Sequence, residues 1–143
     1  MRVVTLKDIP ILPVEGAAEQ TAGWTGPVSR SRQTIIPPGD SPNYNCSVVH
    51  FSQGCNTGWH THDCDQLLIV TSGAGYVATE QEQREIQVGD VVQIKAGERH
   101  WHGAKAETTM AHSTITTVGS QAAWGEGGRR AGASPRPSAG GEA

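Results

Sequence analysis

Apolar positions in this chain gather in short runs, not in long helical periods. Seven runs rich in Val, Ile and Thr stand out, at 33–36, 44–51, 66–71, 75–79, 84–88, 91–95 and 108–118. Turn residues punctuate them: Pro37-Pro38-Gly39-Asp40, Ser72-Gly73 and Gly89-Asp90. β-branched runs of this length between Gly/Pro/Asp clusters predict an all-β sandwich or barrel. No stretch carries the 3.6-residue apolar period of an amphipathic helix. Side chains alternate faces along a strand, so within 108–118 Met110, His112 and Thr114 share one face. If Met110 packs inward, His112 does too.

The 143 residues suit one domain large enough to bury a core without disulfides. Residues 1–32 are less regular, and part of that segment is expected to add an edge strand or to cross to a partner subunit. From Gly125 onward no large apolar side chain occurs, so the sequence reads in two parts: a folded domain over 1–124 and a disordered Gly/Ala/Arg/Pro tail over 125–143. The formal charge is −3 and scattered, which offers no footprint for nucleic acid and no basic patch for a membrane surface. No apolar run reaches the length of a membrane span, and the first residues lack the apolar stretch of a secretory leader, so the expected location is cytoplasmic. The three cysteines, Cys46, Cys55 and Cys64, match no zinc pattern and read as ordinary thiols.

The histidines change the picture. His60-Thr61-His62 sets two imidazoles on one face of a strand, and His100-Trp101-His102 repeats the arrangement. Around them lies a recurring pattern: Gly54, five residues, His60-Thr61-His62, three residues, Gln66, six residues, Gly73; then Gly89, five residues, Lys95-Ala96-Gly97, two residues, His100. This resembles the two signature motifs of the cupin superfamily, over roughly the middle half of the chain. The family usually has Glu at the position of Gln66, Pro at that of Lys95, and Asn at that of Ala104. The resemblance implies a double-stranded β-helix, or jelly-roll barrel, holding one divalent metal ion (zinc, manganese, iron or nickel) on His60, His62, Gln66 and His100. The glycines at 54, 73, 89 and 97 fall where tight turns need them.

Gln66 is the informative departure. An amide brings no charge, so three imidazoles and an amide leave the ion a stronger Lewis acid and disfavour its higher oxidation states. That favours non-redox chemistry. Thr57-Gly58-Trp59-His60-Thr61-His62, Gln66-Leu67-Leu68-Ile69-Val70-Thr71, 97–104 and 108–112 are similar to small bacterial cupins with hydroxynitrile-lyase activity. That likeness implies a base at His112 and a substrate contact at Thr57. His102 shares a face with His100 and is a candidate catalytic or substrate-contacting group, with a polar residue at the barrel mouth as the plainer reading. His50 has no partner at useful spacing. Trp59 and Trp101 alternate with inward histidines and should point away from the metal, toward packing or a dimer interface.

Three kinds of function follow. The first is a metal-dependent lyase, isomerase or epimerase acting on a small carbonyl or hydroxy compound, with cyclisation within the same chemistry. The second is a metal-dependent dioxygenase. The third is a non-catalytic small-molecule-binding module. The expected partners are a small-molecule substrate and a second copy of the chain in a homodimer, with neither nucleic acid nor membrane. The Ala/Gly/Arg-rich end hints at a GC-rich coding sequence, and through it at secondary metabolism.

Overall fold

The computed structural model describes residues 1–14 and 29–125. Among the described residues a 3-10 turn, Leu6–Asp8, precedes ten strands: β1 (Leu12–Pro13), β2 (Arg30–Ile36), β3 (Tyr44–Phe51), β4 (His60–His62), β5 (Gln66–Thr79), β6 (Gln83–Gln87), β7 (Val91–Ile94), β8 (His100–Ala104), β9 (Met110–Thr117) and β10 (Ala122–Trp124). All pairings are antiparallel. The strands run β1-β2-β3-β9-β5-β8-β4-β10, with β6 and β7 also on β5. This is the all-β barrel that the pattern predicts. The edge strand expected from the first 32 residues is present as β1, beside β2. The expected tail lies outside the described residues, apart from Gly125, whose N–H donates to Trp59 O at 2.8 Å. Among the described residues no helix is long and apolar enough to cross a membrane.

β5 joins the two walls of the barrel. Its first half lies between β7 and β9 in a first sheet, and its second half between β6 and β8 in a second. The sequence pattern predicts two strands here, 66–71 and 75–79, parted by a turn at Ser72-Gly73. The structure instead has one strand that bends. The register with β9 shifts between Val70 and Ser72, and Gly73 adopts φ +69°. A Cβ on Gly73 would sit 1.9 Å from Thr109 O. A bulge and a left-handed glycine let a strand turn a corner without reversing, and a local reading takes the same residues for a hairpin.

Inward side chains from both walls form the core. Val49 and Phe51 on β3, Leu68 and Val70 on β5, Ile94 on β7 and Met110 on β9 are all buried. Phe51 marks where this apolar interior meets the histidines: its ring centroid lies 5.5 Å from that of His112 and 5.8 Å from that of His102. On the outer face of the second sheet Trp59, Ala78 and Trp101 form a separate buried cluster with Tyr76 against it. Both tryptophans therefore point away from the histidines, as alternation requires. The three cysteines are free thiols.

His50, without a role in the sequence reading, faces outward and joins a clamp. Its Nε2 lies 2.7 Å from Gln33 Oε1, and the Gln33 amide nitrogen donates to Leu6 O and Ile9 O. These bonds fasten the N-terminal segment to the first sheet.

Candidate metal centre

β4 and β8 lie side by side with His60 opposite His100. Period-two alternation sends His60 and His62 from β4, and His100 and His102 from β8, to the interior face. One ring nitrogen each from His60, His62 and His100 lies within 4.8 Å of the other two. Gln66, at the start of β5, reaches the same place from the other wall, with Oε1 3.1 Å from His100 Nε2. The four residues named as ligands by the sequence resemblance are thus brought together.

Backbone carbonyls set the tautomers. His60 Nδ1–H donates to Gly58 O at 2.9 Å, and His100 Nδ1–H donates to Glu98 O at 2.8 Å. Each bond leaves the lone pair on Nε2, the nitrogen available to an ion. The Gln66 amide nitrogen donates to Thr114 Oγ1 at 2.9 Å, which turns Oε1 toward the histidines. A carboxylate at position 66 has no N–H to donate in this way. His100 Nε2 and Gln66 Oε1 then face each other with lone pairs, an arrangement that a shared cation relieves. His62 Nε2 is buried with no hydrogen-bond partner, the mark of an atom meant for another ligand.

Electrostatics agree. Burial, then the neighbouring His100, pushes the His60 imidazole well below its usual pKa. Burial lowers His100 to about 4 and also lowers His62, against the opposing pull of Asp63. All three are neutral at neutral pH, the form that binds a metal. Three imidazole nitrogens and an amide oxygen fit a divalent ion and leave coordination positions open for a substrate.

A second pair of histidines stands behind this group. His112 Nδ1–H donates to Ser113 O at 3.2 Å, so its Nε2 accepts, at 2.9 Å, from His102 Nδ1–H. The remaining lone pair is on His102 Nε2, which is buried and has no hydrogen-bond partner. The His102 ring lies 5.5 Å from that of His60 and 5.7 Å, nearly parallel, from that of His100. His112 packs against Phe51 and His102. Burial lowers His112 to about 4, and burial with the adjacent His112 holds His102 well below its usual value.

Thr57 is buried beside the centre. Its hydroxyl donates to Gly58 O at 2.9 Å and accepts from the His102 N–H at 3.2 Å. Its own N–H donates to His102 O. These bonds tie the loop before β4 to β8.

Two residues of the site escaped the sequence reading. Thr114 was visible only as a residue sharing the face of His112, and its bond to Gln66 spans 48 positions. Trp124 stacks on His60 with centroids 4.3 Å apart and planes 21° apart. It sits in a three-residue strand, Ala-Ala-Trp, too short to announce itself.

Comparison with known proteins places this geometry. Residues 47–115 match the family described as Cupin domain. A stretch of 68 residues is 48% identical to an (R)-mandelonitrile lyase of Granulicella tundricola, covering 47% of this chain and 52% of that protein. The chain thus spans about half the length of that curated relative. A cupin-like protein from Thermotoga maritima has a similar structure, with TM-score 0.64 and 31% identity over 67% of this chain and 75% of that one. A sugar phosphate isomerase of the cupin superfamily from Silicibacter pomeroyi shares the fold, with TM-score 0.69 and 18% identity over 87% of this chain and 82% of that one. A bent ten-strand barrel, histidines converging from adjacent strands and these matches agree: the chain belongs to the cupin family.

Proposed function

We propose that the protein is a metal-dependent cupin enzyme for non-redox chemistry on a small carbonyl or hydroxy compound, and that its reaction is of the hydroxynitrile or aldol type. The observation that carries this reading is the pairing of a four-ligand centre on His60, His62, Gln66 and His100 with a buried, unpartnered lone pair on His102 Nε2. The likeness to the mandelonitrile lyase supports the choice of reaction. A divalent ion held by His60, His62, Gln66 and His100 would supply Lewis acidity to the reaction.

The protein's own groups then handle the proton. In the cleavage direction His102 Nε2 takes the hydroxyl proton of a cyanohydrin. The oxygen's electron pair becomes the second bond of the carbonyl, and the carbon–carbon bond breaks with its pair leaving on cyanide. His112 accepts from His102 Nδ1–H, which holds His102 in the tautomer that presents Nε2 and stabilises the imidazolium that forms. The two histidines act as one unit, with His112 the inner member. Thr57 serves by fixing the His102 backbone. The same parts can move a proton next to a carbonyl, so enolate-based epimerisation or isomerisation belongs to the same proposal.

The exposed edge strand β1, with Ile11 and Leu12 on the surface, is the place where a second copy would add to form the homodimer.

Purified protein loaded in turn with manganese, zinc, iron or nickel is assayed without oxygen on a panel of cyanohydrins and small hydroxy ketones. Aldehyde and cyanide release above background, abolished in His60→Ala and strongly reduced in His102→Ala, is the expected result. Turnover that requires oxygen would replace this reading with a dioxygenase. Tight binding without turnover across the panel would replace it with a binding module.

A further inference from the structure

β4 carries two of the three imidazoles but is only three residues long, and its register with β8 is a single pair, His60 opposite His100. Its other neighbour is β10, which pairs with it at every position: Ala122 with His62, Ala123 with Thr61 and Trp124 with His60. Both ends of this short ladder are fastened. Asp63 N–H donates to Gln121 O at 3.1 Å, and Gln121 N–H donates to Asp63 Oδ1 at 2.8 Å. At the other end Gly125 N–H donates to Trp59 O at 2.8 Å. The ligand strand owes more of its backbone order to β10 than to β8.

Trp124 adds a side-chain constraint. Its ring lies face to face on the His60 imidazole, and the Arg30 guanidinium covers it, 5.4 Å from the ring centroid. An imidazole offers its lone pair in the plane of the ring. The bond from Nδ1–H to Gly58 O fixes the direction of Nε2 within that plane. The stack on Trp124 fixes the plane itself. A tilt of the ring would carry the lone pair off the ion without breaking the Gly58 bond.

We infer that β10 is a strap of the metal centre and that Trp124 is a positioning residue for His60, so that ion binding and ordering of residues 121–125 are coupled. The inference rests on the metal-centre reading. Coupling of this kind is reciprocal: if an ordered strap tightens the ion, the bound ion must order the strap by the same factor. Groups that orient a metal-ligating histidine typically change affinity by about 10–100-fold when removed.

The full-length chain is titrated with Zn²⁺ and Co²⁺ against a chromophoric chelator, as wild type, Trp124→Ala and Trp124→Phe. Amide hydrogen exchange is followed on the wild type with and without Zn²⁺. The expected result is an affinity at least about tenfold weaker in Trp124→Ala, largely recovered in Trp124→Phe, which restores a flat ring. Zn²⁺ should slow exchange at 121–125 more than in β3 and β9. The exchange arm needs no variant, so a poorly folding Trp124→Ala does not blunt the test. Wild type that binds Zn²⁺ with no added protection at 121–125, or an alanine variant that binds as tightly as wild type, overturns the strap and leaves the metal centre standing. Wild type that binds neither ion overturns both.

Discussion

In the first sheet β3 and β9 pair over eight successive positions, from Tyr44 with Thr117 to Phe51 with Met110, whereas in the second β4 and β8 share one. The two walls enclose the same interior and are built on different plans. The first is a long ladder with Val49, Phe51, Leu68 and Met110 buried along it. The second presents His60, His62, His100 and His102 inward and keeps Trp59 and Trp101 outside. Apolar burial gains with every added strand residue, so a wall made for stability is long and regular. A wall made for chemistry needs buried polar atoms left unpaired, which costs stability. The unpaired ring nitrogens, His62 Nε2 and His102 Nε2, lie on strands of three and five residues. The first sheet also reaches across: it sends in Gln66, oriented by Thr114 of the same sheet, and His112, which holds His102.

If the walls divide their labour in this way, truncating the first should weaken the fold and spare the ion. Leu68 has no exposed surface, and Leu68→Ala should cost about 2–5 kcal/mol of stability, read from urea denaturation of the metal-free protein. Ion affinity of the folded variant should stay near that of wild type. A parallel loss of affinity would mean that the walls are not separable.

The histidines should make stability depend on pH. His112 is lowered to about 4 in the folded state from an ordinary value of 6.5. Below 6.5 the unfolded chain binds the proton that the folded chain refuses. Stability is therefore complete above about 6.5 and is lost as pH falls toward about 4, by on the order of 3 kcal/mol for this residue. Urea midpoints of metal-free protein between pH 7.5 and 4.5 check this, and His112→Gln should flatten the curve. An equally steep fall in that variant would place the proton uptake elsewhere.

The smallest effect sharpens how the first wall aims the ligand it contributes. Thr114→Val keeps the shape and removes the hydroxyl that accepts from Gln66. Ion affinity should drop by about tenfold, or about 1.4 kcal/mol, with little change in stability. Unchanged affinity in the chelator titration would show that Gln66 does not depend on Thr114 to face the ion.

Much of this was legible residue by residue. The 44–51 run is β3 as the pattern places it, and 110–117 lies within the run read at 108–118. Met110, His112 and Thr114 share the inward face because alternation is a property of any strand. His60, His62, Gln66 and His100 were named together by the resemblance to the cupin motifs, and the structure brings them together. The bend of β5 did not, because a bulge and a turn draw on the same Ser-Gly chemistry, and only the pairing of β5 with both walls distinguishes them. β10 was missed because three residues carry no period to read.

The sequence by itself determined which side chains face the interior and which histidines travel together, since both depend on neighbours one or two positions away. The tertiary structure decided what each of those groups touches. His102 meets His112 across 10 positions and Gln66 meets Thr114 across 48, and Trp124 comes to rest on His60. The first exists only once the two walls have closed on each other, and the other two join neighbouring strands of one sheet, where strand register, not local propensity, sets which side chains meet.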